Sequence, residues 1–339
     1  MENTDVVGNS GGTVAPAAMT KPRETEAMHG ISTALVATLL LTTIAHAVWG
    51  QSPPSKTAVT ANGLVADFYQ PAESRGPMPA LIVLGGSRGG LDERTAWEAT
   101  ALAERGYAVL HLAYIVGPGL PTSARLPTAI HLIPLEYFKT AIDWLRNHPA
   151  VDPSRIGIVG TSIGGMAALL VAAHYPELRV VVAAVPSSVV WSTFGSSHTS
   201  MFSRAGQPVP YLPYGLARGS GVHNLFDDGL NAVVQHPDAI IPVEKINGPV
   251  MVICGKLDSL WPSCRMSAQV MARLEANNFK HASQILEYAD AGHSVFGPPV
   301  APENPTFAAL GGAAGNAARI DSWPKAVTFI DAALKPSER

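Results

Sequence analysis

The chain has 339 residues, 47% hydrophobic and 14% charged, with a formal net charge of -3. That length can bury one large core or two modest ones, and the near-neutral balance, with no Lys/Arg cluster interleaved with aromatics, excludes a nucleic-acid partner. Only Cys254 and Cys264 occur, and no Cys/His grouping has zinc-ligand spacing, so the sequence supports no metal.

In chain order, residues 1–28 are polar, small and Pro-containing, the composition of a disordered segment. Residues 31–49 form an uncharged, mostly apolar run close to the roughly 20 residues that span a bilayer. Lys21 and Arg23 precede it, and Ala45-His46-Ala47 lies just before its end. These are the basic flank, apolar stretch and small-residue cleavage site of a secretory signal. Residues 1–50 are therefore expected to stand apart from the fold, as a cleaved signal peptide or a retained membrane anchor. Lys21 and Arg23 would stay cytoplasmic, and residues 57–335 would be exported, periplasmic or extracellular.

From residue 57 strand-like and helix-like stretches alternate. Residues 64–69 alternate their side chains, and residues 80–84, Ala-Leu-Ile-Val-Leu, form a continuous apolar run into Gly85-Gly86, as a buried parallel strand does. A helix is predicted over 92–105, stopped by Gly106, then a strand over 107–113. The clearest helix spans 134–147, with Pro134 at its first turn and Leu135, Phe138, Ile142 and Leu145 on one face. Further strands are expected at 155–160, 180–185, 250–254 and 284–288, and further helices at 164–174, 263–277 and 321–334. This rhythm predicts an α/β fold, a mostly parallel central sheet with helices on both faces. Residues 186–247 break it with Gly, Ser and Pro clusters, and read as a cap or substrate-binding insertion. Its aromatics Trp191, Phe194, Phe202, Tyr211 and Tyr214 either line an acyl pocket or simply pack.

Gly160-Thr161-Ser162-Ile163-Gly164 has the G-x-S-x-G form of a nucleophile elbow, between a predicted strand and a predicted helix. Small residues are needed there because the serine sits on a strained turn pressed against its neighbours, which assigns Gly160 and Gly164 as elbow glycines. An unassisted serine hydroxyl is a weak nucleophile, so a base is required. Of eleven histidines, His111 falls in a strand, His148 and His174 at helix ends, and His198 and His223 in the insertion. His293 follows the last strand in a loop running to Pro299 and is the expected base. Asp258, four residues beyond the strand at 250–254, is the expected orienting acid, and the order Ser162, Asp258, His293 is that of α/β-hydrolases. The oxyanion would be received by the backbone N–H of Ile163 and by that of Ser87 in Gly85-Gly86-Ser87-Arg88-Gly89-Gly90, with Gly86 as the alternative. That loop lacks the spacing of a P-loop or a dinucleotide fold. Cys254 and Cys264 either pair as a disulfide or remain free thiols.

The sequence resembles the C-terminal catalytic domain shared by acyl-CoA thioesterases and bile acid-CoA:amino acid N-acyltransferases, a dienelactone hydrolase-like branch of the α/β-hydrolases. The resemblance covers residues 78–334. It rests on stretches 84–91, 135–138, 156–165, 241–245, 255–263 with Trp261, and 292–299, and on Asp321-Ser322-Trp323. It implies a triad at Ser162, Asp258 and His293 that cleaves a small-molecule acyl ester or thioester through an acyl-enzyme, with no cofactor. The serine nucleophile resembles the thioesterase branch; the acyltransferase branch uses cysteine. About 30 residues separate the apolar run from the first core strand, so the β-sandwich of the family's better-known members is expected to be missing. Two alternatives stand beside an exported or membrane-tethered hydrolase: a cytosolic acyl-CoA thioesterase, and a catalytically inactive α/β-hydrolase-fold binding module.

Overall fold

Strands that are apolar on both faces must be covered on both faces, and their period-two alternation sends successive side chains to opposite layers. The computed structural model describes residues 52–73, 76–117, 120, 126–194, 198–215 and 221–335. The segment 31–49, on which a signal or anchor was expected, lies outside them. The strands are β1 (Ser55–Val59), β2 (Ala66–Gln70), β3 (Met78–Leu84), β4 (Ala108–Leu112), β5 (Ile133–Pro134), β6 (Val151–Thr161), β7 (Leu178–Ala184), β8 (Phe202–Arg204), β9 (Gln207–Pro208), β10 (Val250–Gly255) and β11 (Ser283–Tyr288). The α-helices are α1 (Glu93–Glu104), α2 (Leu135–Arg146), α3 (Ile163–His174), α4 (Val222–Leu230), α5 (Ser263–Ala276) and α6 (Gly312–Leu334).

Eight strands form one sheet in the order β1-β2-β4-β3-β6-β7-β10-β11. β1 and β2 pair antiparallel, as do β2 and β4; every other neighbour is parallel. The two layers can be read off β3. Ala80, Ile82 and Leu84 join the core with Phe138, Ile142, Met166, Leu170, Met266 and Val270, which belong to α2, α3 and α5. Leu81 and Val83 join the opposite core with Ala99, Leu102, Ala326 and Ile330, which belong to α1 and α6. α3 is buried over nearly its whole length, which explains a sequence apolar on every side.

The departures from the predicted elements have local causes. β1 is an edge strand, exposed at every residue but Val59, so no apolar pattern marks it. α6 begins at Gly312, nine residues before the expected 321, and Pro324 lies inside it. Its opening Gly-Ala-Ala-Gly-Asn-Ala-Ala carries no large apolar residue to set a period, and Pro324 reads as a first-turn proline. Residues 186–247 hold β8, β9, α4 and three short 3-10 turns. Among the described residues no helix is long and apolar enough to cross a membrane.

Candidate active site

The parallel strands β6, β7, β10 and β11 lie side by side, so the loops leaving their C-terminal ends open on one edge of the sheet. In register, Thr161 faces Ala184, Ala184 faces Ile253, and Ile253 faces Leu286. Ser162 directly follows the first of these strands, and Asp258 and His293 follow the third and fourth.

Ser162 has φ 63° and ψ -124°, a backbone region costly to any residue with a side chain. It joins the end of β6 to the start of α3, and is held by Ser162 N–H donating to the Ala184 carbonyl at 2.8 Å. The turn needs its glycines. A Cβ on Gly160 would lie 2.1 Å from the Gly164 carbonyl oxygen, and one on Gly164 would lie 2.3 Å from that of Gly85. Both elbow glycines therefore stand where backbone meets backbone. Ile163, as the first helical residue, has an N–H without an intrahelical acceptor.

The loop after β3 lies directly beside the serine, since a Cβ on Gly86 would sit 3.3 Å from Ser162 Cβ. The Tyr114 hydroxyl braces the loop by donating to the Gly85 carbonyl at 2.6 Å, and Gly89 N–H closes it onto the Gly86 carbonyl at 3.1 Å. Behind it Asp92 caps α1 through the Arg94 and Thr95 amides. The Thr95 hydroxyl donates to Asp92 Oδ2 at 2.7 Å, so the buried His111, whose Nε2 lies 2.7 Å from Thr95 Oγ1, is the donor there. Burial pushes the His111 imidazole down to about 4, and it stays neutral.

Asp258 is buried, and its carboxylate is fully engaged. Oδ1 accepts from the Leu260 N–H at 3.0 Å and the Trp261 N–H at 3.4 Å. Oδ2 accepts from Ser263 Oγ at 2.6 Å and lies 2.8 Å from His293 Nδ1. With Asp258 Oδ2 as the acceptor, Nδ1 is the protonated nitrogen and Nε2 keeps its lone pair. The structure thus brings Asp258 and His293 together. It forms no hydrogen bond within 3.5 Å between Ser162 Oγ and His293 Nε2.

Sequence reasoning missed Ser263, the first residue of α5. Its spacing of five from Asp258 carries no motif, and only the turn of the chain brings the hydroxyl back. Cys254, in β10, and Cys264, in α5, are joined in a disulfide that encloses the Asp258 loop. Glu287 approaches both sulfurs at metal-ligand spacing, but the disulfide leaves no thiolate to bind an ion.

The expected pocket aromatics divide. Phe194 stacks on Tyr214 with centroids 5.5 Å apart, Tyr214 meets Phe226 at 5.3 Å, Phe226 meets Trp261 at 5.4 Å, and Trp261 meets His293 at 6.2 Å. Trp191 joins this row against Phe226. Phe202 instead packs in the core near Phe138, and the Tyr211 hydroxyl donates to the His198 carbonyl beside a different cavity. A cavity of about 570 Å³ opens beside Ser87, walled by Ile115, Pro127, Ile130 and Phe194.

The family described as "BAAT / Acyl-CoA thioester hydrolase C terminal" matches residues 133–336, and one described as BD-FAE matches residues 66–189. Acyl-coenzyme A thioesterase 2, mitochondrial, of Mus musculus is 32% identical over 285 residues, 78% of this chain and 57% of the relative. Acyl-coenzyme A thioesterase 6 of Homo sapiens is 30% identical, over 80% of this chain and 64% of its own. The chain therefore spans under two thirds of the length of these curated relatives. A putative dienelactone hydrolase from Klebsiella pneumoniae superposes with TM-score 0.54 at 19% identity, covering 82% of this chain and 97% of its own. An alpha/beta hydrolase enzyme from a deep-sea metagenome library gives TM-score 0.52 at 13% identity, with 83% and 98% covered. The fold is that of the α/β-hydrolases, with the mostly parallel sheet expected from the sequence.

Proposed function

Because the chain belongs to the BAAT / acyl-CoA thioester hydrolase C-terminal family, we propose that it is a serine hydrolase cleaving an acyl ester or thioester through an acyl-enzyme. Ser162 Oγ attacks the acyl carbonyl while His293 Nε2 takes its proton. Asp258 holds the imidazole and balances the imidazolium charge. The Ile163 and Ser87 amides receive the oxyanion, and the proton passes from His293 to the departing alkoxide or thiolate. Water then repeats the sequence on the acyl-enzyme. The observation that carries this reading is the positive-φ turn at Ser162, which sets the serine between the end of β6 and the start of α3.

Ile115, Pro127, Ile130 and Phe194 in the lining of the cavity beside Ser87 support an apolar acyl part. Lys21, Arg23 and the apolar segment 31–49 support a catalytic domain outside the cytoplasm, exported or membrane-tethered. The Cys254–Cys264 disulfide supports the same compartment. The named relatives favour a second reading, a CoA thioester met inside the cell. A panel of p-nitrophenyl esters and acyl-CoA thioesters on the protein from Gln51 onward tests the chemistry, and a topology reporter fused after residue 60 tests the compartment. Turnover of some member, lost in Ser162→Ala, is expected; no turnover of any member defeats the proposal. Reporter activity confined to the cytoplasm defeats export and leaves the second reading.

A further inference from the structure

We propose that Arg319, buried in a cluster with Glu98 and Arg94, is a positioning residue for His293; this rests on the reading of His293 as the base. The loop from His293 to Val300 lies along α6. Ser322 Oγ donates to the Val295 carbonyl at 2.7 Å, Arg319 Nε donates to the Phe296 carbonyl at 3.0 Å, and Asn316 Oδ1 accepts from Val300 N–H at 2.9 Å. These anchors recur every three residues, so one side of α6 holds the loop from behind while Asp258 holds the imidazole from the front.

Anchoring alone would not call for a buried guanidinium. Arg319 is 1% exposed, as is Glu98 of α1, whose carboxylate lies 3.6 Å from Arg94 Nε. Burial drives Glu98 up to about 7, opposed by Arg94 and Arg319, and drives Arg319 down to about 10, opposed by Glu98. Such groups are costly to bury and are retained where their geometry is used. Gly297 shows where. At φ +107° it lies flush on the cluster, and a Cβ there would fall 2.7 Å from Arg319 Nη2 and 2.9 Å from Glu98 Oε1. The loop is thus seated on the buried Arg319 and Glu98 side chains four residues after the histidine. Arg319 touches no reacting atom. It sets where His293 Nε2 stands relative to Ser162, and misplacement of a base by about 1 Å costs rate without weakening substrate binding.

The test is steady-state kinetics on p-nitrophenyl acetate with fluorophosphonate labelling, on the full chain. In Arg319→Met, kcat per labelled site should fall about tenfold or more with KM within about twofold, while labelling still reaches every molecule, only slower. Arg319→Lys, which keeps charge and one donor, should recover most of the loss. An unchanged kcat per labelled site, or a loss confined to KM, overturns the proposal. Should Arg319→Met not fold, Glu98→Gln decides: kcat falls about threefold or more if the buried cluster positions the loop, and is unchanged if it does not. His293→Ala runs in parallel. Retained labelling there defeats the reading of His293 as base, whereas wild-type kinetics in the Arg319 and Glu98 variants defeats only the present inference.

Discussion

His293 Nδ1 lies 2.8 Å from Asp258 Oδ2, the same oxygen that accepts the Ser263 hydroxyl at 2.6 Å. One carboxylate oxygen therefore orients both an imidazole and the start of α5. Asp258→Asn places an amide where two donors converge, which turns the imidazole into the wrong tautomer. We expect kcat to fall about 10³- to 10⁴-fold with the fold retained, measured by ester hydrolysis beside circular dichroism. Ser263→Ala removes one donor and leaves the imidazole contact. Its kcat should fall about tenfold, the scale of one charge-assisted hydrogen bond.

The elbow glycines give a steric prediction. Gly164→Ala drives a methyl into the Gly85 carbonyl, so the loop after β3 and the serine turn must separate. A destabilisation of about 3 kcal/mol or more is expected in urea unfolding, with hydrolysis lost. A Gly164→Ala protein as stable and active as wild type would mean that the two loops do not meet.

The disulfide closes a short loop, ten residues apart in sequence. Chain entropy puts its stabilisation at about 2–3 kcal/mol. The Cys254→Ala/Cys264→Ala protein should unfold at lower urea by that amount, and thiol titration of the unfolded wild type without reductant should find no free thiol.

His111 and Glu98 shape stability against pH in opposite directions. The folded His111 imidazole is held down to about 4, so the unfolded chain binds its proton first, and this contribution is lost as pH falls from about 6.5 through 4. The folded Glu98 carboxyl is raised to about 7, so the folded state holds the extra proton, and this contribution is lost as pH rises from about 4.5 through 7. Over the shared window the two oppose each other. Glu98→Gln should leave a melting temperature that rises with pH there, and His111→Gln one that falls. Parallel pH curves for the two variants would refute the assignment.

The sheet, its covering helices and the turn at Ser162 were legible because each rests on local pattern: an apolar run, a helical period, a glycine-flanked serine. Other features were not. β1 is an exposed edge without alternation, and the first turns of α6 are Ala and Gly with no period to read. Ser263, Arg319 and Glu98 reach the site through chain folding rather than spacing. Whether Cys254 and Cys264 pair depended on how β10 and α5 pack, which ten residues of sequence do not encode. Phe202 and Tyr211, aromatics of the same insertion as Phe194, separated from it for the same reason.

The most direct measurement is labelling of the protein by a fluorophosphonate probe, with the modified residue located by mass spectrometry. One probe per chain is expected on Ser162, with no labelling in Ser162→Ala and much slower labelling in His293→Ala and Asp258→Asn. Labelling at another residue, or none in the folded wild type, would contradict this and favour an inactive binding module.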